Sequence, residues 1–382
     1  MGTVRPVRVA IVTESFLPHV NGVTNSVLRV LEHLRRNGHE AMVIAPGNGP
    51  EEYAGYPVVR LPEVQLPVLK AQPIGVPSRK VVKALREFNP DVVHLASPFI
   101  VGMRGMVAAR KLGLPTIAIY QTDVAGFAGT YGLGLAERAA WRWTRWLHGM
   151  ADRTLAPSSW AVDALGEHGI PRVHHWARGV DVNRFHPSRR DDALRARLAP
   201  NGELLVGYVG RLALEKCVDR LQAAHDMPGV QLVVVGDGPE LDSMRKAMPN
   251  AAFLGMREGE ELATAYASLD LFVHTGPFET FCQTVQEALA SGLPVLAPDA
   301  GGPRDLVQSG RTGYLLPAWD AAEFEQGLRE GITALADPGT RARFAEAARR
   351  SVLARTWPVI CDQLLDHYVE IANIPQSTTT AA

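Results

Sequence analysis

The sequence predicts an α/β protein of two Rossmann-like domains, each built on a doubly wound parallel sheet. Short β-branched runs alternate with helical patterns along the chain, the order that builds parallel strands with crossover helices. Each run is apolar at consecutive positions, so both faces of the strand are expected to be buried. The series occurs twice: "VRVAIVT", "EAMVIAP", "DVVHLA" and "PTIAIY", then "LLVGYVG", "VQLVVVG", "LFVHT" and "LPVLAP". At 382 residues the chain can hold two cores of ordinary size.

The first strand ends near Thr13 and leads through "FLPHVNGVTNSV" into a helix of about Val23 to Asn37. Val27, Val30, Leu31 and Leu34 make its apolar stripe, and Gly38 stops it. The domain boundary is expected at about 186, where Pro187 and a polar run separate the two strand series. Residues 1–186 then form the N-terminal domain and 187–356 the C-terminal one. In the second, the strand "LDLFVHT" ends at Thr275, the loop "GPFETF" follows, and a helix starts near Cys282 or Gln283. A last amphipathic helix, about 357–371, carries Ile360, Leu364, Leu365 and Tyr368 at helical spacing and is expected to cross back to the N-terminal domain. Residues 372–382 are expected to be a disordered tail. Two such sheets leave a cleft at their carboxyl ends, where open α/β sheets bind ligands.

Composition narrows the function. No apolar run approaches the roughly 18 residues of a membrane span, and the N-terminus lacks the charged-then-apolar pattern of a signal peptide, so a cytoplasmic location is expected. Cys217, Cys282 and Cys361 show no metal spacing and read as reduced packing residues. The net charge of −1 hides an asymmetry. Residues 1–185 carry 21 Lys and Arg against 14 Asp and Glu, a balance of +7, and the remainder carries 18 against 26, a balance of −8. A basic half suggests a domain that meets an anionic surface; charge unevenly spread over solvated faces is the alternative.

Two glutamates frame the most informative stretch, "ETFCQTVQE". Glu279 falls in the loop at a strand's carboxyl end and Glu287 about one turn into the next helix, so the two cannot grip one atom. Between them the unpaired N–H groups of residues about 282–284 and the helix dipole make an anion site, for which phosphate is the natural guest. A carboxylate on either side would accept hydroxyl hydrogen bonds from a sugar and a ribose. In "GRLALEK", Arg211 follows a strand and Lys216 is expected to open the next helix, two cations suited to a diphosphate leaving group. Lys216 in a surface ion pair with Glu215 is the alternative reading. Gly22, at the first helix start, lets backbone N–H groups approach an anion or simply makes a tight turn.

Taken in order, Gly22, "RGVDVNRFHP", "VGRLALEK", "VVGDGPE", "ETFCQTVQEALASGLPV", "GGPRDLV" and "GRTGYLLP" resemble the retaining glycosyltransferases of the GT-B fold with the E-x7-E motif. "PHVNGVTNSV", "WARGVD" and "ETFCQTVQEA" are most similar to bacterial GDP-mannose-dependent alpha-mannosyltransferases acting on glycolipids, and to their sulfoquinovosyl-lipid relatives. The resemblance implies a GT-B fold with an interdomain cleft and a hexose, most simply mannose from GDP-mannose, moved to a membrane glycolipid of the glucuronosyl-diacylglycerol or phosphatidylinositol type. It implies that Arg211 and Lys216 hold the diphosphate, Glu287 the ribose and Glu279 the donor sugar. Phe281, Cys282 and Gln283 join the donor site, and Gly22 approaches the distal phosphate. Attack would come from the donor's front face, with the leaving phosphate taking the acceptor's proton, so no protein base, cofactor or metal is required.

The chain departs from the family at three places. Gln121 stands in "YQTD" where histidine is usual, and it can donate a hydrogen bond to a sugar but not shuttle a proton. Glycine is usual where Cys217 and Cys282 stand. His94, expected at a strand end, and His174–His175 have no carboxylate at metal spacing, and no D-x-D occurs, which disfavours metal-dependent one-domain transferases. Trp141, Trp143 and Trp146 alternate with Arg138, Arg142 and Arg145 in one helical stretch, a pattern that suits a lipid headgroup layer or, for some of the indoles, core packing. The expected partners are thus a nucleotide sugar, a lipid-linked acceptor and an anionic membrane surface, not nucleic acid, with the chain held peripherally at the inner face of the plasma membrane. A UDP-sugar donor, an NAD-dependent oxidoreductase using "VVGDGPEL", and a non-catalytic sugar-nucleotide binder are the competing readings.

Overall fold

The computed structural model describes residues 5–64, 74–76, 78–121 and 134–373. The chain divides into two compact units, one of Met1–Ala177 with Pro358–Ala382 and one of Arg178–Trp357. The division falls earlier than the expected 186 because the polar run is tied to the second unit rather than left as a linker. Gln286 and Gln283 donate to the carbonyls of Arg178 and Gly179 at 3.0 and 3.1 Å, and Arg349 donates to those of Val182 and Phe185. Of the expected disordered tail, residues 374–382 lie outside the described residues.

The first unit contains strands β1 (Arg8–Thr13), β2 (Glu40–Pro46), β3 (Glu52–Tyr53), β4 (Tyr56–Leu61), β5 (Glu63–Val64), β6 (Ile74–Gly75), β7 (Val92–Ala96), β8 (Thr116–Ile119), β9 (Arg153–Ala156) and β10 (Val173–His175). Its main sheet runs β10-β9-β8-β7-β1-β2-β4-β3, parallel throughout except for the short β3–β4 pair, and β5 pairs with β6 apart from it. Strand order reverses between β1 and β7, the crevice position of an open α/β sheet. Here that crevice holds a protein carboxylate. Glu14 accepts the N–H groups of Phe99, Val101 and Gly102 at 2.7–3.1 Å and so caps helix Ile100–Leu112, whose own N-cap supplies no side chain.

The first helix spans Gly22–Arg36, with Asn21 rather than a glycine as its cap: the Asn21 amide oxygen accepts from Val23 and Thr24 at 3.0 and 2.9 Å. The last helix, Trp357–Ile371, buries Ile360, Cys361, Leu364 and Tyr368. Its anchors belong to the first unit. Trp176 Nε1 donates to the Ile360 carbonyl at 2.8 Å, His33 Nε2 lies 2.9 Å from Asp362, and His94 Nδ1 is 2.5 Å from the Tyr368 hydroxyl. His94 sits within β7 rather than at its end, and burial depresses its pKa to about 3, so it packs as a neutral ring.

The second unit contains β11 (Leu204–Val209), β12 (Val230–Val235), β13 (Ala252–Gly255), β14 (Leu271–Val273), β15 (Val295–Pro298) and β16 (Gly313–Leu316). They form one parallel sheet in the order β13-β12-β11-β14-β15-β16. Its order reverses between β11 and β14, and the chain leaving those two strands carries the residues singled out by sequence. Tyr208, Val234, Leu271, Leu296 and Phe324 are among the buried side chains that pack its core.

Candidate active site

The turn after β11 is tighter than expected. Lys216 does not open a helix; it closes a 3-10 turn, Leu214–Lys216, and Cys217 follows with φ at +48° before a second 3-10 turn, Val218–Leu221. The left-handed residue prevents a continuous helix and aims Lys216 back toward β14. The Thr275 hydroxyl donates to the Lys216 carbonyl at 2.6 Å, and Gly276 lets the two segments touch, since a Cβ there would stand 3.1 Å from Lys216 Cα. Lys216 Nζ then donates to Glu279 Oε1 at 2.6 Å, with each side chain 19% exposed.

This pair sets the electrostatics. Burial works against the charge on Lys216, but the Glu279 carboxylate outweighs it and holds the ammonium pKa above its ordinary value. Burial likewise pushes the Glu279 carboxyl up; Lys216, and after it His274, overcome this and hold it below the usual range. Lys216 therefore pairs with Glu279 and not, at the surface, with Glu215, which is itself buried. Arg211 is different: its side chain is 60% exposed, with a guanidinium nitrogen 3.8 Å from Glu215.

Beyond Glu279 the backbone of residues 279–282 is held from behind by the loop after β15. Gly302 N–H donates to the Glu279 carbonyl at 2.8 Å, and a Cβ on Gly301 or Gly302 would fall 2.5 Å from the Glu279 oxygen or 2.1 Å from that of Phe281. The pair of glycines in "GGPRDLV" thus has a packing cause. Phe281 is buried. Cys282 is the N-cap of helix Gln283–Ala290 with φ at +77° and supplies no side-chain cap. Both cysteines at positions where glycine is usual therefore occupy the left-handed region that favours glycine.

Glu287 lies in that helix. The Tyr266 hydroxyl donates to Glu287 Oε2 at 3.3 Å, and burial pushes the Glu287 pKa up to about 7 against the opposing bonds from Tyr266 and Gln283. The Gln283 amide nitrogen is drawn to the Gly179 carbonyl, and its oxygen is buried with no hydrogen-bond partner. On the first unit, Gly22 opens a helix whose next two N–H groups Asn21 already caps, and Gln121 lies buried just past β8. Residues 122–133, directly after Gln121, lie outside the described residues.

Several contributors were not read from sequence. Tyr266 and His274 act through contacts that no local pattern reveals, whereas Asn21 before an apolar-periodic run is a local cap signal. His274, one residue past β14, is 2% exposed; its Nε2 stands 3.4 Å from Glu279 Oε1 and burial lowers its pKa to about 4. His274, Glu279 and Cys282 bring ligand-type atoms within 4.8 Å of one another. The glycines of "VVGDGPEL" have a packing role too: a Cβ at Gly236 or Gly238 would strike the Gly210 or Leu212 carbonyl, so this loop buttresses the turn that bears Arg211.

Residues 20–184 match the family described as Glycosyltransferase Family 4, and residues 190–351 that described as Glycosyl transferases group 1. A GDP-mannose-dependent alpha-mannosyltransferase of Mycobacterium tuberculosis is 57% identical over 98% of this chain and 99% of its own length. A sulfoquinovosyl transferase of Arabidopsis thaliana is 33% identical over 92% of this chain and 71% of its own. Among solved structures, a sucrose-phosphate synthase from Thermosynechococcus elongatus superimposes with a TM-score of 0.77 at 19% identity, covering 97% of this chain and 100% of that one.

Proposed function

We propose that this chain, which belongs to the GT-B glycosyltransferases of family 4, transfers mannose from GDP-mannose to a membrane glycolipid with retention of anomeric configuration. The donor is drawn from relatives at 52–57% identity that carry that name over nearly the whole chain. A relative of lower identity, 28%, is named for mannosylating a phosphatidylinositol dimannoside. The observation that carries the site is the Lys216–Glu279 bond of 2.6 Å at the strand-order reversal of the second sheet. An ammonium beside a carboxylate at that position supports the reading in which Lys216 meets a phosphate and Glu279 a sugar.

In this reading Lys216 and Arg211 neutralise the diphosphate as its bond to the sugar breaks, assisted by the uncapped start of helix Gln283–Ala290. Glu279 accepts hydroxyls of the donor sugar and Glu287 those of the ribose. The charge that develops on the leaving phosphate takes the acceptor's proton, so the side chains stabilise and orient without transferring it. Gln121 donates a hydrogen bond to the sugar, and Gly22 lies near the distal phosphate; both roles rest on the resemblance alone. Phe281, Cys282 and Gln283 shape the loop that presents Glu279.

Incubation with a panel of nucleotide sugars and a membrane lipid extract, with products identified by mass spectrometry, tests the donor and acceptor. A lipid gaining one hexose from GDP-mannose is expected; transfer only from a UDP-sugar would replace the donor assignment. Proton NMR of the anomeric signal tests retention, and an inverted product would defeat the mechanism.

A further inference from the structure

We propose that His274, Glu279 and Cys282 form a binding site for a thiophilic divalent cation of the Zn2+ class, mutually exclusive with the Lys216–Glu279 ion pair. An imidazole, a carboxylate and a thiol are the ligand types Zn2+ prefers, and here they lie within 4.8 Å of one another on the segment from the end of β14 to the start of the next helix. The independent observation is His274. It is 2% exposed, neither ring nitrogen makes a hydrogen bond of good geometry although the Gly276 backbone is close by, and Nε2 is aimed at Glu279 across 3.4 Å. A buried imidazole with neither nitrogen in a well-formed hydrogen bond is uncommon unless something else is bound there.

Bond lengths of about 2.0–2.3 Å in a tetrahedral zinc site put neighbouring ligand atoms roughly 3.3–3.8 Å apart, so a modest rotation of side chains would close these three on one ion. A water would fill the fourth position. Binding joins the metal to the Cys282 sulfur and releases the thiol proton to solvent, with no change of oxidation state.

Lys216 is the competitor. Its Nζ stands 2.6 Å from Glu279 Oε1, so a divalent ion and the ammonium cannot both occupy that oxygen. Binding therefore requires Lys216 to swing away, which weakens the site and makes the ion a reversible ligand rather than a structural one.

The test uses the untagged, reduced, metal-free full chain titrated with Co2+ and then Zn2+. A 1:1 thiolate-to-Co2+ charge-transfer band, bleached by Zn2+, is expected. Cys282→Gly should abolish it while keeping the fold, because glycine suits φ at +77°, and Cys217→Ser and Cys361→Ser should leave it. His274→Gln should weaken binding at least about tenfold, and Lys216→Ala should tighten it by a similar factor. No band, or one that survives Cys282→Gly, overturns the site; unchanged affinity in Lys216→Ala overturns the exclusivity. Inhibition by Zn2+ through a raised apparent KM for GDP-mannose is expected if Glu279 holds the donor sugar or Lys216 its diphosphate. A Co2+ band without such inhibition would leave the metal site standing and count against both roles.

Discussion

Lys216 and Arg211 belong to one loop yet stand in different media, and this separates their expected contributions. Lys216 is largely buried against Glu279, whereas solvent reaches most of Arg211. A charged contact to a departing diphosphate in a screened site is worth a few kcal/mol, so Lys216→Ala should lower kcat about a hundredfold or more. Arg211→Ala should cost less, about tenfold, because water already screens its charge. Steady-state kinetics at saturating donor check both, and equal losses would mean that donor binding buries Arg211 as well. Glu287 offers a pH signature. With a pKa near 7 it is largely protonated below neutrality, so donor binding should weaken as pH falls through 7 and level off above it. Burial raises this value, and Tyr266, Gln283 and, at longer range, Arg184 pull against it. Tyr266→Phe should move the acid limb to higher pH, because it removes a bond that favours the carboxylate, and Glu287→Gln should flatten it. A limb unmoved in Tyr266→Phe would assign the titration elsewhere. The positions of Arg211, Glu279 and Glu287 after a strand, in a loop and on a helix were legible because those elements succeed each other locally. Tyr266 was not, since only the folded chain brings it to Glu287, and His274 was hidden because it continues an apolar strand run.

At the scale of elements, eight apolar strands were readable because burial on both faces leaves a hydrophobic run in the sequence. The others escaped for physical reasons: β4 mixes exposed, half-buried and buried residues near a sheet edge, β13 is half-buried at every position, and β16 is half-buried at its two central ones. The expected helix after β11 failed for a different cause, a left-handed residue at Cys217 that breaks it into 3-10 turns. That residue makes a prediction. A side chain in this region costs roughly 1–2 kcal/mol relative to glycine, partly offset by the greater freedom of glycine in the unfolded chain. Cys217→Gly should therefore raise stability by about 0.5–1 kcal/mol, while Cys217→Ala should give no gain, as read from chemical denaturation midpoints. A stabilising alanine would place the effect in the thiol and not in the backbone.

At the scale of the whole molecule, no helix among the described residues is long and apolar enough to cross a membrane. The helix Gly134–Gly149 sorts its tryptophans unequally. Trp141 turns inward and stacks on His168 at 3.5 Å, whereas Trp146 is 47% exposed and packs against Trp143, which meets the exposed Phe99. Arg138, Arg142 and Arg145 are exposed on the same helix, in the half of the chain whose balance is +7. Indole and phenyl rings beside guanidinium groups fit a headgroup layer, the rings entering the interface and the cations meeting lipid phosphates. We expect peripheral binding to anionic vesicles that weakens as ionic strength rises and the Debye length falls from about 10 Å at 0.1 M to about 3 Å at 1 M. Arg142→Glu with Arg145→Glu should abolish flotation with anionic vesicles at low salt, and Trp146→Ala should weaken it without removing its salt dependence. Both variants should retain turnover of a soluble, short-chain acceptor, which separates docking from catalysis. Equal flotation with neutral vesicles would exclude the charge mechanism and leave the exposed rings to account for the binding.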